Sequence, residues 1–268
     1  MIEGIKCCIK KDLKETVRTG KLILFFALAL GIAIMILFFT LFFENIPDSL
    51  TTELPGFDIE SLENMMTTLY PKMVRESLGV FSYYIGVFFS LIVIIVTHGI
   101  LPKELSEGKW ILPFQQGYSN KDFIISKCSV YGMTSGFAVF FSYIFYYILA
   151  NSCMEKNMTF GNAIFLAFIH GLNIFFIISY TMLMSLYFKS PVVASISMIA
   201  TVLFGPDILK YFTIGEYLPT YMLTFVYDSR NEYGKIIGPI VLNVFLVVIL
   251  YFMTMTRLEK RYKSVASR

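Results

Sequence analysis

LILFFALALGIAIMILFFTLFF, residues Leu22–Phe43, contains no charged side chain. A helix rises about 1.5 Å per residue, so about 20 apolar residues cross a hydrocarbon core of about 30 Å. Five further apolar stretches follow, near Leu78–Leu101, Ile124–Ala150, Ala163–Phe188, Val192–Leu209 and Ile236–Thr256. The fifth is the weakest, because Gly205-Pro206-Asp207 interrupts it soon after Phe204. Hydrophobic residues make up 56% of the chain and charged residues 15%, against about 25% charged in soluble domains. The expected fold is therefore an all-α membrane protein with six transmembrane helices, forming a single transmembrane domain over residues 1–268. A soluble enzyme with a greasy core is excluded.

Basic residues predict the orientation. With a cytoplasmic N-terminus, sixteen Lys and Arg fall on inner segments: six before the first crossing, four between the second and third, Lys189, and five from Arg257 onward. Six fall outside: Lys72, Arg75, Lys156, Lys210, Arg230 and Lys235. Acids reverse the bias, seven inside and twelve outside. An even number of crossings, with both termini cytoplasmic, keeps the basic tail Arg257–Lys263 inside. The expectation is a multi-pass protein of the plasma membrane. The first apolar run is longer than a signal-peptide core of about 7–15 residues. Of four cysteines, Cys7, Cys8 and Cys128 fall on or near the inner side and Cys153 outside, so no same-side partner offers Cys153 a disulfide.

Three connecting regions have their own patterns. Residues 1–20 form an amphipathic helix in which Ile2, Ile5, Ile9, Leu13 and Val17 make an apolar stripe and Lys6, Lys10, Lys14 and Arg18 a basic one. Such a helix lies in the cytoplasmic interface of the bilayer. The outer loop 44–77 carries seven acids, and Ile59, Leu62, Met65, Met66 and Leu69 give it one apolar helical face. It reads as a lid or as a surface that meets cationic amphipathic cargo. The outer region 205–235 is rich in Tyr and Phe and opens with Pro206-Asp207, a helix-start signal. It reads as a re-entrant or broken helix before the last crossing, or as an interfacial aromatic belt.

Polar groups inside the crossings are few. His98 lies at the inner end of the second. His170 and Asn173 share one face of the fourth, a spacing that suits an interhelical hydrogen bond, and Asn243 lies in the sixth. No G-x-x-x-x-G-K-[ST] loop, H-E-x-x-H or C-x-x-C motif occurs. No catalytic residue, metal or nucleic-acid partner is expected.

The connection after the second crossing runs from Pro102 to Lys127 and contains Glu104, Gly108, Leu112-Pro113, Ser119 and Lys127 in that order. An acid, a glycine, a Leu-Pro pair, a Ser turn and a Lys entering the next helix resemble the membrane subunit of the ABC-2 class of ABC transporters. Lys109, Asn120 and Ser126 stand where Thr, Arg and Gly are usual in that family. The resemblance extends to the whole plan: an amphipathic N-terminal connecting helix, six crossings, and a broken region before the sixth.

The resemblance implies a permease subunit that pairs with a second copy or a related subunit. Each would rest on a separate ATP-binding subunit, which would hold ATP and Mg. Segment 102–123 would be the cytoplasmic coupling segment, with Glu104, Gly108, Trp110, Pro113, Phe114, Ser119 and Lys127 as its contact residues. Its apolar Trp110, Ile111, Leu112 and Phe114 suit a partner's groove. The second and fifth crossings would meet at the seam between copies. There Tyr83, Tyr84, Phe88, Phe89, Met198 and Phe204 would line a path for amphipathic molecules, or else face lipid and pack the core; the 205–235 region would act as an outer gate. Exporters of antimicrobial peptides, including the phenol-soluble-modulin type, share this build, as do exporters of drugs and lipids. A non-transport scaffold or sensor with six crossings is the other class of reading.

Overall fold

The computed structural model describes residues 2–44, 73–109, 119–188, 190–209, 221–224 and 233–266. Among these residues the only regular secondary structure is helical. Helix α1 (Ile2–Arg18) turns into α2 (Lys21–Glu44) through Thr19 and Gly20. Gly20 has φ 73°, a left-handed conformation that glycine adopts without a Cβ penalty. The second apolar stretch is composite: α3 (Val74–Tyr84), a π-helical turn (Ile85–Phe89), α4 (Ser90–Thr97) and, beyond His98-Gly99, α5 (Ile100–Ser106). Then come α6 (Asn120–Cys153), α7 (Phe160–Tyr187), α8 (Pro191–Leu209), the short α9 (Tyr221–Thr224) and α10 (Ile237–Ala266).

Five of these stretches are long and apolar enough to cross a membrane: Lys21–Leu41, Val74–Ser106, Lys121–Cys153, Phe160–Tyr187 and Gly234–Leu258. The fifth expected crossing differs, because its apolar helix over Pro191–Gly205 is shorter. At about 1.5 Å per residue that part covers roughly 22 Å. Large apolar side chains such as Ile23, Phe38, Phe137, Phe168, Phe245 and Phe252 are exposed. An apolar exterior of this extent suits contact with lipid or with another protein.

The bundle centres on the antiparallel pair α6 and α7. Ser119 and Asp122 start α6 with a reciprocal capping box, and Thr159 caps α7. The two helices meet backbone to backbone at Gly136 and Gly171. A Cβ on Gly136 would lie 2.8 Å from the Gly171 carbonyl oxygen, and one on Gly132 only 2.6 Å from the Phe175 ring. Gly132-x-x-x-Gly136 is thus a close-approach motif. Beside it runs an apolar groove of about 430 Å³, walled by Met133, Phe137, Phe140, Phe168 and Leu172.

Contacts at the helix ends define two faces of the bundle. At one face the Val74 N–H donates to the Glu155 carbonyl (3.2 Å) and the Arg75 N–H to Asn157 Oδ1 (2.9 Å). The start of the second stretch therefore sits beside the α6–α7 connection. At the opposite face α1 packs on the start of α6, and the Arg257 guanidinium lies 4.6 Å from the centre of the Tyr187 ring.

Candidate functional site

Side chains on a helix recur on one side every three or four residues. In α1 the row Gly4, Cys8, Asp12 and Thr16 is buried. The expected apolar stripe takes a different place: Ile5 and Ile9 are half-buried, and Leu13 and Val17 are 44% and 51% exposed. Lys6, Lys10, Lys14 and Arg18 are all exposed. Protein contact is therefore made by a row of small and polar residues that the apolar periodicity did not mark. Burial pushes the Cys8 thiol above the usual cysteine range, and the neighbouring Asp12 carboxylate adds to the shift.

Asp12 is buried because Lys127 is there. The Lys127 side chain is 0% exposed, and its Nζ lies 2.7 Å from Glu104 Oε1, 2.9 Å from Asp12 Oδ1 and 3.4 Å from Glu15 Oε2. The Ser126 hydroxyl donates to Asp12 Oδ2. The Phe123 and Tyr131 rings, about one turn to either side, stand 5.9 and 6.0 Å from the ammonium. An ion buried alone costs several kcal/mol, so the three carboxylates and two rings are what make this position tenable. The cluster joins three segments far apart in sequence: the connecting helix, the end of the second stretch and the start of the third.

Local structure fixes each member. The capping box of Ser119 and Asp122 sets where α6 begins, and Lys127 follows two turns later. Glu104 sits near the end of α5, which Gly108 closes in a left-handed conformation at φ 69°. The Lys109 N–H then donates to the Glu104 carbonyl at 3.0 Å. Beyond the cluster, Lys109 Nζ lies 2.8 Å from Glu107 and holds its carboxyl below the usual range.

Of the expected coupling residues, Glu104 and Lys127 meet directly, Gly108 ends one helix and Ser119 begins the next. Trp110, Pro113 and Phe114 lie outside the described residues, as do most of the 44–77 loop and most of the 205–235 region. Ser126, a departure from the family pattern, takes part as a donor. Asp12 and Glu15 were not singled out by the sequence. Their one signal was that they are acids in a helix with more basic residues than acidic ones.

The expected path residues divide. Tyr83, Phe88 and Phe204 are exposed, and Tyr84 is half-buried with its ring stacked on Phe88 at 5.6 Å. Phe89 and Met198 instead belong to the chain's own core. Consecutive residues of a helix are about 100° apart, so Phe88 and Phe89 cannot both face outward. The outward aromatic surface is thus narrower than the sequence implied.

The intramembrane polar groups also divide. Asn243 Nδ2 donates to the Pro239 carbonyl, and Tyr180 donates to Asn243 Oδ1 at 3.0 Å, linking α7 to α10. His98 Nδ1 lies 2.8 Å from its own helix at the Ile95 carbonyl. His170 stacks on Tyr143 with centroids 4.9 Å apart, and Tyr143 donates to Ser82. His170 Nε2 and Asn173 Nδ2 find no hydrogen-bond partner among the described residues, contrary to the expected interhelical bond.

No protein-family model matches the chain, and neither a curated protein nor a solved structure does.

Proposed function

We propose that this chain is the membrane-spanning permease subunit of an ATP-driven exporter of the ABC-2 kind. The observation that carries the reading is the Glu104–Lys127 pair. The acid and the lysine on which the family resemblance rests are neighbours across 2.7 Å. They also hold the connecting helix through Asp12. Such a cluster suits transmission of a rigid-body movement, because a push on the segment after Glu104 reaches α1 and α6 together. It has more carboxylates than ammonium groups, and a cationic contact from an ATP-binding partner would balance them.

On this reading the chain crosses the plasma membrane six times with both termini cytoplasmic, and the shorter α8 is the fifth crossing. The 205–235 region is a broken helical gate. Two copies, or this chain and a related subunit, meet at the second and fifth crossings. Tyr83, Phe88 and Phe204 belong to an aromatic route between copies, and amphipathic peptides are the preferred cargo. ATP and Mg reside on the separate ATP-binding subunit.

The test is to look for an ATP-binding cassette subunit in the neighbouring reading frames and to co-express the chain with it. Co-purification, with ATP turnover that depends on both subunits and rises with amphipathic peptide, is the expected result. A chain that purifies without any such partner, and whose loss leaves peptide export unchanged, would overturn the reading.

A further inference from the structure

Helix α1 has four rows, each one residue out of step with the last, and the row of Glu3, Cys7, Lys11 and Glu15 closes the circle between the basic row and the bundle-facing row. Gly4, Cys8, Asp12 and Thr16 face the bundle. Ile5, Ile9, Leu13 and Val17 come next, and Lys6, Lys10, Lys14 and Arg18 after them. At 3.6 residues per turn, one residue is a rotation of about 100°. The apolar row therefore lies between the bundle-facing row and the basic row. Leu13 and Val17 stay 44% and 51% exposed, beside four cations that have no acidic partner among the described residues.

We infer that this double face is a docking surface for the anionic bilayer, and that lipid charge holds the rotation of α1 that places Asp12 on Lys127. Charge complementarity selects the occupant. Four cations in one row call for a surface of many negative charges, and the adjoining apolar row calls for acyl chains beneath it. A soluble acidic protein offers the first without the second. Neutral lipid offers the second without the first. If α1 turned about its axis, Leu13 and Val17 would leave the acyl region, and Asp12 would lose its 2.9 Å contact with Lys127. The inference is independent of what the crossings carry.

Cys8 reports the rotation, since it lies on the bundle-facing row and is buried. The test uses the full chain with Cys7, Cys128 and Cys153 replaced by Ser, in nanodiscs of phosphatidylcholine with or without one-third phosphatidylglycerol. Iodoacetamide modification is read by intact mass. Phosphatidylglycerol is expected to slow Cys8 alkylation by at least about fivefold, because several basic residues engage the charged surface at once. The variant K6Q/K10Q/K14Q/R18Q should lose that protection, and K6R/K10R/K14R should keep it. Equal rates in the two lipid mixtures would overturn the inference. So would a glutamine variant that phosphatidylglycerol still protects. Protection by free glycerol phosphate in phosphatidylcholine discs would assign the basic row to a soluble phosphate instead. No arm depends on ATP or cargo, so a failure here is distinct from a failure of the transport reading.

Discussion

Lys127 Nζ and Asp12 Oδ1 lie 2.9 Å apart, joining the first helix of the chain to the third apolar stretch inside a space that excludes solvent from both side chains. Asp12 and Glu104 share this one ammonium group. Replacing only Lys127 leaves buried carboxylates without a counter-ion, a loss of about 3–5 kcal/mol. K127M should therefore lower the thermal midpoint of the detergent-solubilised protein sharply. The triple variant D12N/E104Q/K127M removes all three main charges and should recover much of the loss. Equal midpoints for the single and triple variants would mean that the pairing contributes little.

The glycine contact between α6 and α7 has no room for a methyl group. G136A forces a Cβ to 2.8 Å from the Gly171 backbone oxygen, and overpacking of this kind costs about 1–3 kcal/mol. Gly31 in α2 has nothing within 4 Å of the same position, so G31A should be neutral or gain up to about 1 kcal/mol. Thermal or denaturant unfolding of the two variants side by side measures the contrast.

Gly108 ends α5 with φ 69°. An L-residue there costs about 1–2 kcal/mol. G108A should leave the membrane bundle intact, as judged by its size-exclusion profile, yet reduce recovery of the ATP-binding partner in pull-downs. A variant that assembles as well as wild type would remove this turn from the docking surface.

Cysteine cross-linking separates the outward aromatic side chains from the inward ones. In a background lacking native cysteines, Cys at Tyr83, Phe88 or Phe204 should link two copies within the membrane. Cys at Phe89 or Met198 should not, because both side chains lie in the core of one chain. Links obtained only through α6 or α7 would move the seam away from the second and fifth crossings.

Membrane-impermeant maleimide tests the orientation. A single Cys at Asn157 should label from outside intact cells, and one at Ser119 or Ser264 only after permeabilisation. External labelling at Ser264 would make the number of crossings odd.

The all-helical architecture was legible because lipid leaves backbone few options, and long uncharged runs announce helices directly. The weakness of α8 is legible in part: its apolar run, Pro191–Gly205, is short, but the helix continues through Gly205-Pro206-Asp207 to Leu209 instead of being interrupted there. The site was legible in part. Glu104 and Lys127 stood out through the resemblance of the Pro102–Lys127 connection to the ABC-2 pattern, but their meeting was not legible, because no periodicity links side chains on separate helices. Asp12 was hidden because its row in α1 is small and polar rather than apolar, so the periodicity pointed to the neighbouring row. The π-helical turn left no signal beyond Gly86. A helix with one extra residue in a turn has the same composition as one without.

Thr19 and Gly20 are all that separate α1 from α2. The corner is pinned from both sides, by the Gly20 N–H on the Val17 carbonyl at 3.1 Å and the Leu24 N–H on the Gly20 carbonyl at 2.9 Å. The two helices are accordingly one bent rod rather than a tail tied to an anchor. A tether with slack would absorb small displacements at its free end. This one has none, so a tilt imposed on the short arm through Asp12 appears in the long arm as a tilt of the first crossing.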